Sequence, residues 1–258
     1  MIDRVRLFVA RRLAAVRLHL WTESSDGVRT KYRKWGADVS IVVGNQYLRI
    51  PGALSECLRC GEWIEWEVAI GQILGRDVQP LPERRGVALP FMSGESLADL
   101  LKSTVCWDQK RQGLFLAGKA LRDFHQRKVT ACGIENWSLS HGDATSSNVI
   151  VDCREGCANW IDFDMRHQTE LPALARQADD LRVLIWSSAA LVEKSVYDDT
   201  IATICDGYAD TEVIDEMRQL TQRTRLPAVF QLAQAPLSTA EFGHLRAMMM
   251  ALKPKPAD

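Results

Sequence analysis

No charge of either sign dominates the sequence. Lysine and arginine number 32 against 33 aspartates and glutamates, a formal charge of -1, so no overall basic field is present to attract nucleic acid. No nucleic-acid partner is expected. The chain also lacks any run of the roughly 18 apolar residues that a membrane-spanning helix requires. No secretory leader is read at the N-terminus, and the seven cysteines are an odd number. A disulfide scaffold is therefore not expected, and the reading is a cytoplasmic protein. Cys57 and Cys60 form a C-x2-C and Cys153 and Cys157 a C-x3-C. Neither pair has the second half of a zinc site nearby, so no metal is assigned to them. Internal repeats, low-complexity tracts and long linkers are absent as well, and no feature specifies an oligomeric state.

What is there begins with an ordinary globular composition, 47% hydrophobic and 25% charged, sufficient for a sizeable core. The stretch RVRLFVARRLAAVRLHL places Val5, Phe8, Val9, Leu13, Val16 and Leu20 on one helical face, with Arg4, Arg6, Arg11, Arg12 and Arg17 elsewhere. A helix over residues 1–20, docked on its own domain, is expected. The alternative is peripheral contact of residues 1–20 with an anionic membrane surface at the inner face.

Strands follow. VRTKYRKW (Val28 to Trp35) reads as one, and DVSIVV and QYLRIP, flanking Gly44-Asn45, read as a hairpin. GEWIEWEVAIGQILG carries Ile64, Val68, Ile73 and Leu74 at helical spacing and ends at Gly75. A short strand in GVALP precedes a helix from about Ser96, and Leu114, Ala117, Leu121 and Phe124 suit a long buried helix. Further helices are expected around 173–192, 195–208, 211–225 and 238–252. The chain is strand-rich early and helical later.

The chemistry concentrates in SHGDATSSNVIVD, Ser140 to Asp152, and in NWIDFD after it. The apolar VIV, a turn at CREGCA and NWIDFD form a hairpin that returns Asp162 beside Asn148. An aspartate and an asparagine side by side offer hard oxygen ligands to Mg2+, which normally keeps waters and substrate phosphates in its shell. Asp143, five residues before Asn148, is placed to accept a hydroxyl proton. These are the parts that a phosphoryl transfer requires.

His141-Gly142-Asp143, Asn148 and Ile161-Asp162-Phe163-Asp164 together resemble the protein-kinase-like superfamily, and more narrowly its small-molecule branch. That branch comprises aminoglycoside phosphotransferases, choline kinases and kinases of lipopolysaccharide core sugars. PFMSGESL is similar to the family's hinge and ALRDFH to the helix before its catalytic loop. The resemblance implies an α+β, bilobal protein-kinase-like fold, with an N-lobe over 1–92 and a C-lobe over 93–258. It implies ATP and Mg2+ as cofactors, Asp143 as the catalytic aspartate, His141 as the brace of its loop, and Asn148 and Asp162 as metal ligands. Asp164 stands where protein kinases carry a glycine.

In the N-lobe the family's strand lysine holds the nucleotide phosphates and pairs with a helix glutamate. The place after Gly44-Asn45 holds Arg49, an arginine fork that can grip phosphate but is not interchangeable with lysine. Glu67 is the better helix partner than Glu65. The glycine-rich loop reduces to Gly36-Ala37-Asp38, with Gly36 the one glycine and an acid that would repel phosphate. Thr145 stands where protein kinases usually place a lysine, which disfavours a peptide and favours a hydroxyl of a small molecule or sugar, including lipopolysaccharide core. Asp179, Asp180 and Asp206 are candidates for binding a cationic acceptor. Two alternatives stand beside this reading: an atypical serine/threonine kinase, and a nucleotide-binding pseudokinase acting as a scaffold.

Overall fold

The computed structural model describes residues 19–23, 28–34, 36–39, 41–42, 54–223, 237 and 239–252. It is mixed α+β. Strands β1 (His19–Glu23), β2 (Val28–Arg33), β4 (Gln79–Leu81) and β5 (Gly86–Pro90) form an antiparallel sheet in the order β1-β2-β5-β4. His19 and Leu20 thus pair with Arg33 and Tyr32 in that sheet, so these two residues of the helix expected over 1–20 are strand instead. Residues 1–18 lie outside the described residues. So do the Gly44-Asn45 turn and QYLRIP.

One expected strand is not one. In DVSIVV the described residues 38, 39, 41 and 42 are helical, as is Ala37. Asp38 shows why the segment stays close to the sheet: its Oδ2 accepts from Arg85 Nη2 at 2.6 Å and its Oδ1 from the backbone N–H of Cys60 at 2.9 Å. That second bond satisfies a donor at the start of α1 (Cys60–Ile73) and sets a carboxylate at the positive end of its dipole. Trp63, Trp66, Glu67 and Ile70, at spacings of three and four, form the buried face of α1.

The chain then turns helical. The helix α2 (Leu97–Lys102) is capped by the Ser96 side chain, which accepts from the Asp99 N–H at 3.0 Å. Helix α3 (Trp107–His125) buries Leu114, Ala117, Leu121 and Phe124, the stripe its sequence shows. Helices α4 (Ala173–Ala189), α5 (Tyr197–Tyr208), α6 (Thr211–Arg223) and α7 (Thr239–Ala251) follow. Helices α3 and α5 approach backbone to backbone: a Cβ on Gly118 would sit 2.3 Å from the Ile204 carbonyl oxygen, and one on Gly207 2.2 Å from that of Phe115.

Short strands stitch these parts together. The strand β3 (Ser55–Cys57) pairs with β11 (Met165–His167), and β6 (Glu95–Ser96) pairs with β9 (Val149–Asp152), itself paired with β10 (Cys157–Trp160). A hairpin of β7 (Lys128–Ala131) and β8 (Ile134–Ser138) follows α3. One apolar cluster runs from Leu58, Trp63 and Trp66 through Leu121, Phe124 and Phe163 to Leu245 and Met249. No described helix is long and apolar enough to cross a membrane.

Candidate functional site

The site is built where β2, α1 and the segment after β10 meet. Alternation along β2 turns Lys31 and Arg33 inward, and Lys31 is fully buried. Its ammonium bonds Asp162 Oδ1 and lies 3.6 Å from Glu67 Oε2. The Trp63 ring flanks it, with the nitrogen 4.8 Å from the centroid. Burial alone would lower the Lys31 pKa, but Asp162, Glu67 and Asp164 hold it up at about 12. The charged form of Lys31 is therefore favoured.

Glu67 is fixed as tightly. Its Oε2 also accepts from the Trp63 indole N–H at 3.0 Å and from the Phe163 backbone N–H at 3.2 Å. One carboxylate thus ties α1 to the strand lysine and to the residue after Asp162. Glu65 points elsewhere, to the backbone N–H of Cys132.

Asp162 stands at φ 68°, in the left-handed region, which costs a non-glycine residue about 1–3 kcal/mol. Strain of this kind persists where surrounding contacts over-determine it, and Lys31 and the neighbouring bond from Phe163 N–H to Glu67 are such contacts. Asp164 follows two residues on. Burial, and then the Asp162 carboxylate, push its carboxyl up to about 7, so acidic oxygens are crowded here.

Asp143 and Asn148 form the other half. The hairpin aligns Trp160 with Val149, and the Ile161 N–H donates to the Asn148 carbonyl at 2.9 Å. Asp162 lies just beyond that bond, two residues past the end of β10. The Asn148 Nδ2 donates to the Asp143 carbonyl at 2.9 Å and to its Oδ2 at 3.0 Å. With its amide nitrogen so committed, Asn148 retains Oδ1 as an acceptor of the kind a hard cation takes.

Both ring nitrogens of His141 are engaged within the protein. Its Nδ1 accepts from the Asp143 N–H at 3.3 Å and its Nε2 lies 2.9 Å from the Ile161 carbonyl, which it reaches as a donor. Burial lowers its pKa, and Phe163 and Trp160 pack on it with centroids at 4.9 and 5.2 Å. It joins the loop of Asp143 to the segment of Asp162.

Beneath the loop lies a polar network. Asp180 on α4, fully buried, accepts from the His141 N–H at 2.6 Å, the Gly142 N–H at 2.9 Å and His125 Nε2 at 3.0 Å. Burial would raise its pKa, but His167, His125 and His141 hold it below the usual carboxylate range. Asp179 binds His167 and Arg182. These two aspartates are committed inside the protein and are corrected from candidate acceptor ligands to supports of the loop. Gly142 has φ 81°, and a Cβ there would meet the Arg166 backbone at 3.0 Å, so the H-G-D spacing reflects a close crossing of two chain segments.

Other expected residues fall differently. Gly36, also at φ 81°, is exposed in the turn after β2 and before the short helical segment. It does not join two strands, which removes the basis for reading it as a phosphate loop. Asp38, read as repelling phosphate, is bound to Arg85 and Cys60. Arg49 lies outside the described residues. A lysine that meets a helix glutamate stands on β2, as Lys31. Its signal was present: a lysine at an inward position of a strand preceding a helix with a buried glutamate.

Among the described residues, no group of three or more His, Cys, Asp and Glu side chains is arranged to hold a metal. The pair Asp162 and Asn148 fits a more sparing demand, since Mg2+ is commonly held by one or two protein oxygens with waters and phosphate oxygens completing its shell. The described cysteines are all free. No protein-family model matches the chain, and no curated protein matches it significantly in sequence.

Proposed function

We propose that the chain is an ATP- and Mg2+-dependent phosphotransferase with a bilobal protein-kinase-like fold, moving the γ-phosphoryl group of ATP to a hydroxyl of a small molecule or sugar. The observation that carries this reading is the contact of Lys31 with both Glu67 and Asp162, beside the bonded pair Asp143 and Asn148. In protein kinases a strand lysine paired with a helix glutamate must be in place together with the metal-binding aspartate.

The roles follow from the chemistry of each group. Lys31, charged at any physiological pH, holds nucleotide phosphate oxygens, and Glu67 fixes its direction. Asp143 orients the acceptor hydroxyl and takes its proton as the new bond to phosphorus forms. Asn148 keeps that carboxylate turned toward the acceptor, and Asp180 fixes the loop from below. Asp162 and Asn148 would hold Mg2+, which supplies neutralisation of charge on the phosphate oxygens. Thr145, buried where protein kinases carry a lysine, favours a small acceptor over a peptide.

The test is an ATP-consumption screen with Mg2+ across sugars, aminoglycosides, choline-like amines and a generic protein substrate. Turnover that requires one sugar or small alcohol is expected. Consumption dependent only on the protein substrate would replace this reading with a protein kinase. ATP binding without turnover on any acceptor would favour a pseudokinase.

A further inference from the structure

A concave site lies between α3, the β9–β10 hairpin and the segment that follows α1. Its volume is about 220 Å³. None of Lys31, Glu67, Asp143, Asn148 or Asp162 lines it. Its charged lining is Arg76, Lys119 and Arg127 against a single acid, Asp123, while Leu74 and Leu116 supply an apolar wall.

Arg76 is the most buried of the three cations. Its Nη1 donates to the Trp160 carbonyl at 2.6 Å and its Nη2 to Asn159 Oδ1 at 3.2 Å. A guanidinium has five N–H donors, and the others make no hydrogen bond among the described residues. No described carboxylate lies within ion-pair distance of it either. Burial lowers its pKa to about 10, with Glu67 opposing the shift and Arg127 adding to it. A half-buried cation with unspent donors and no adjacent counter-ion is costly unless something anionic joins it. Lys119 is exposed at the rim and makes no ion pair among the described residues. Arg127, also exposed, donates one bond to the Ile73 carbonyl at 2.6 Å and makes no ion pair among the described residues.

We propose that this cavity binds a small phosphomonoester. Three cations facing one space suit a dianion better than a single carboxylate, and the planar fork of arginine matches phosphate oxygens in two-point contact. The volume is below the range of drug-sized pockets, yet exceeds what a bare phosphate fills. Leu74 and Leu116 would face a short organic body such as a sugar. The site does not depend on the phosphotransferase reading, since it shares no residue with the proposed catalytic groups.

The test is isothermal titration calorimetry on the full chain with ribose 5-phosphate, inorganic phosphate and uncharged ribose. Ribose 5-phosphate binds, ribose does not, and affinity falls as salt is raised. Inorganic phosphate binds more weakly, because the apolar wall is not used. In the double variant Lys119→Gln/Arg127→Gln, affinity for ribose 5-phosphate falls at least tenfold. Both residues are exposed, so this variant retains its fold, which a melting curve verifies. Arg76→Gln abolishes binding. Absence of binding by the parent chain overturns the proposal, as does undiminished affinity in the folded double variant, which would place the phosphate elsewhere.

Discussion

Lys31 on β2 and Glu67 on α1 are 36 positions apart in the chain, yet they meet in the protein interior with Nζ 3.6 Å from Oε2. Both are almost fully buried, and Asp162 completes the group on the lysine's other side. Three chain segments are held in register by one ammonium. The arrangement has a stability consequence as well as a chemical one, because removing one member of a buried pair leaves the other charge uncompensated.

Lys31→Met is therefore expected to lower stability by about 3–5 kcal/mol. For a chain of this size that corresponds to a fall in Tm of roughly 2–4 °C per kcal/mol. Urea unfolding followed by circular dichroism measures it. A loss under 1 kcal/mol, on the scale of an exposed pair, would show that the ammonium is not enclosed as described.

Asp143→Asn should leave nucleotide binding intact and reduce turnover by about 10²–10⁴-fold, the range for a lost general base. The amide still accepts one hydrogen bond from Asn148, so the loop geometry persists. Steady-state kinetics with the acceptor found by the ATP screen, alongside a nucleotide titration, checks both halves. Unchanged turnover would remove Asp143 from the chemistry.

Asp162→Ala removes both the carboxylate proposed to hold Mg2+ and one of the two acidic partners described for Lys31. Nucleotide affinity in the parent should tighten on adding Mg2+, and in the variant it should not. Calorimetric titration of ATP with and without Mg2+ gives the comparison. Equal tightening in both chains would place the phosphate clamp elsewhere.

Much of this site was legible in sequence because its parts are local. Asp143 and Asn148 lie on one loop, and the hairpin returning Asp162 announces itself by two apolar strands around a turn. The long helices were legible for the same reason, since the stripe of Leu114, Ala117, Leu121 and Phe124 is a property of one segment. Lys31 was missed because its contact with Glu67 and Asp162 depends on which strand lies beside α1, and that is settled by sheet pairing between distant residues. DVSIVV illustrates the opposite failure: β-branched residues favour a strand, but Asp38 is held to Arg85 and Cys60 and the described part of the segment is helical. Asp179 and Asp180 look like surface carboxylates on composition alone. Only the packing of α4 beneath the Asp143 loop shows that they are internal.

Gly118→Ala tests the close approach of α3 and α5. In an isolated helix the change would be favourable by about 1 kcal/mol. Here the new methyl would lie 2.3 Å from the Ile204 carbonyl oxygen, so the helices must separate. Overpacking of this kind costs about 1–3 kcal/mol, and net destabilisation is expected in thermal melts. A stabilised variant would mean that the two helices are not in backbone contact.

His125 is fully buried, with Nδ1 2.7 Å from the Tyr208 hydroxyl and Nε2 3.0 Å from Asp180. Burial lowers its pKa below 6.5, outweighing the opposing pull of Asp180, while His167 and Arg176 add to the lowering. His141 is shifted the same way. For both, the unfolded chain takes up a proton at a higher pH than the folded one does. Their contribution to stability is therefore complete above the unfolded value of about 6.5 and is lost as pH falls through the folded values. The limiting slope is about 1.4 kcal/mol per pH unit for each histidine. The lowered pKa of Asp180 acts in a separate window, below about pH 4. Over the same range Asp164, whose carboxyl is pushed up to about 7 by burial, acts in the opposite direction, so urea unfolding between pH 8 and pH 5 should show the histidine-driven decline partly offset. The decline should be shallower in His125→Asn, whose absolute stability is lower at pH 8 because the bonds to Tyr208 and Asp180 are not reproduced. A pH dependence identical in parent and variant would mean that His125 does not titrate differently on folding.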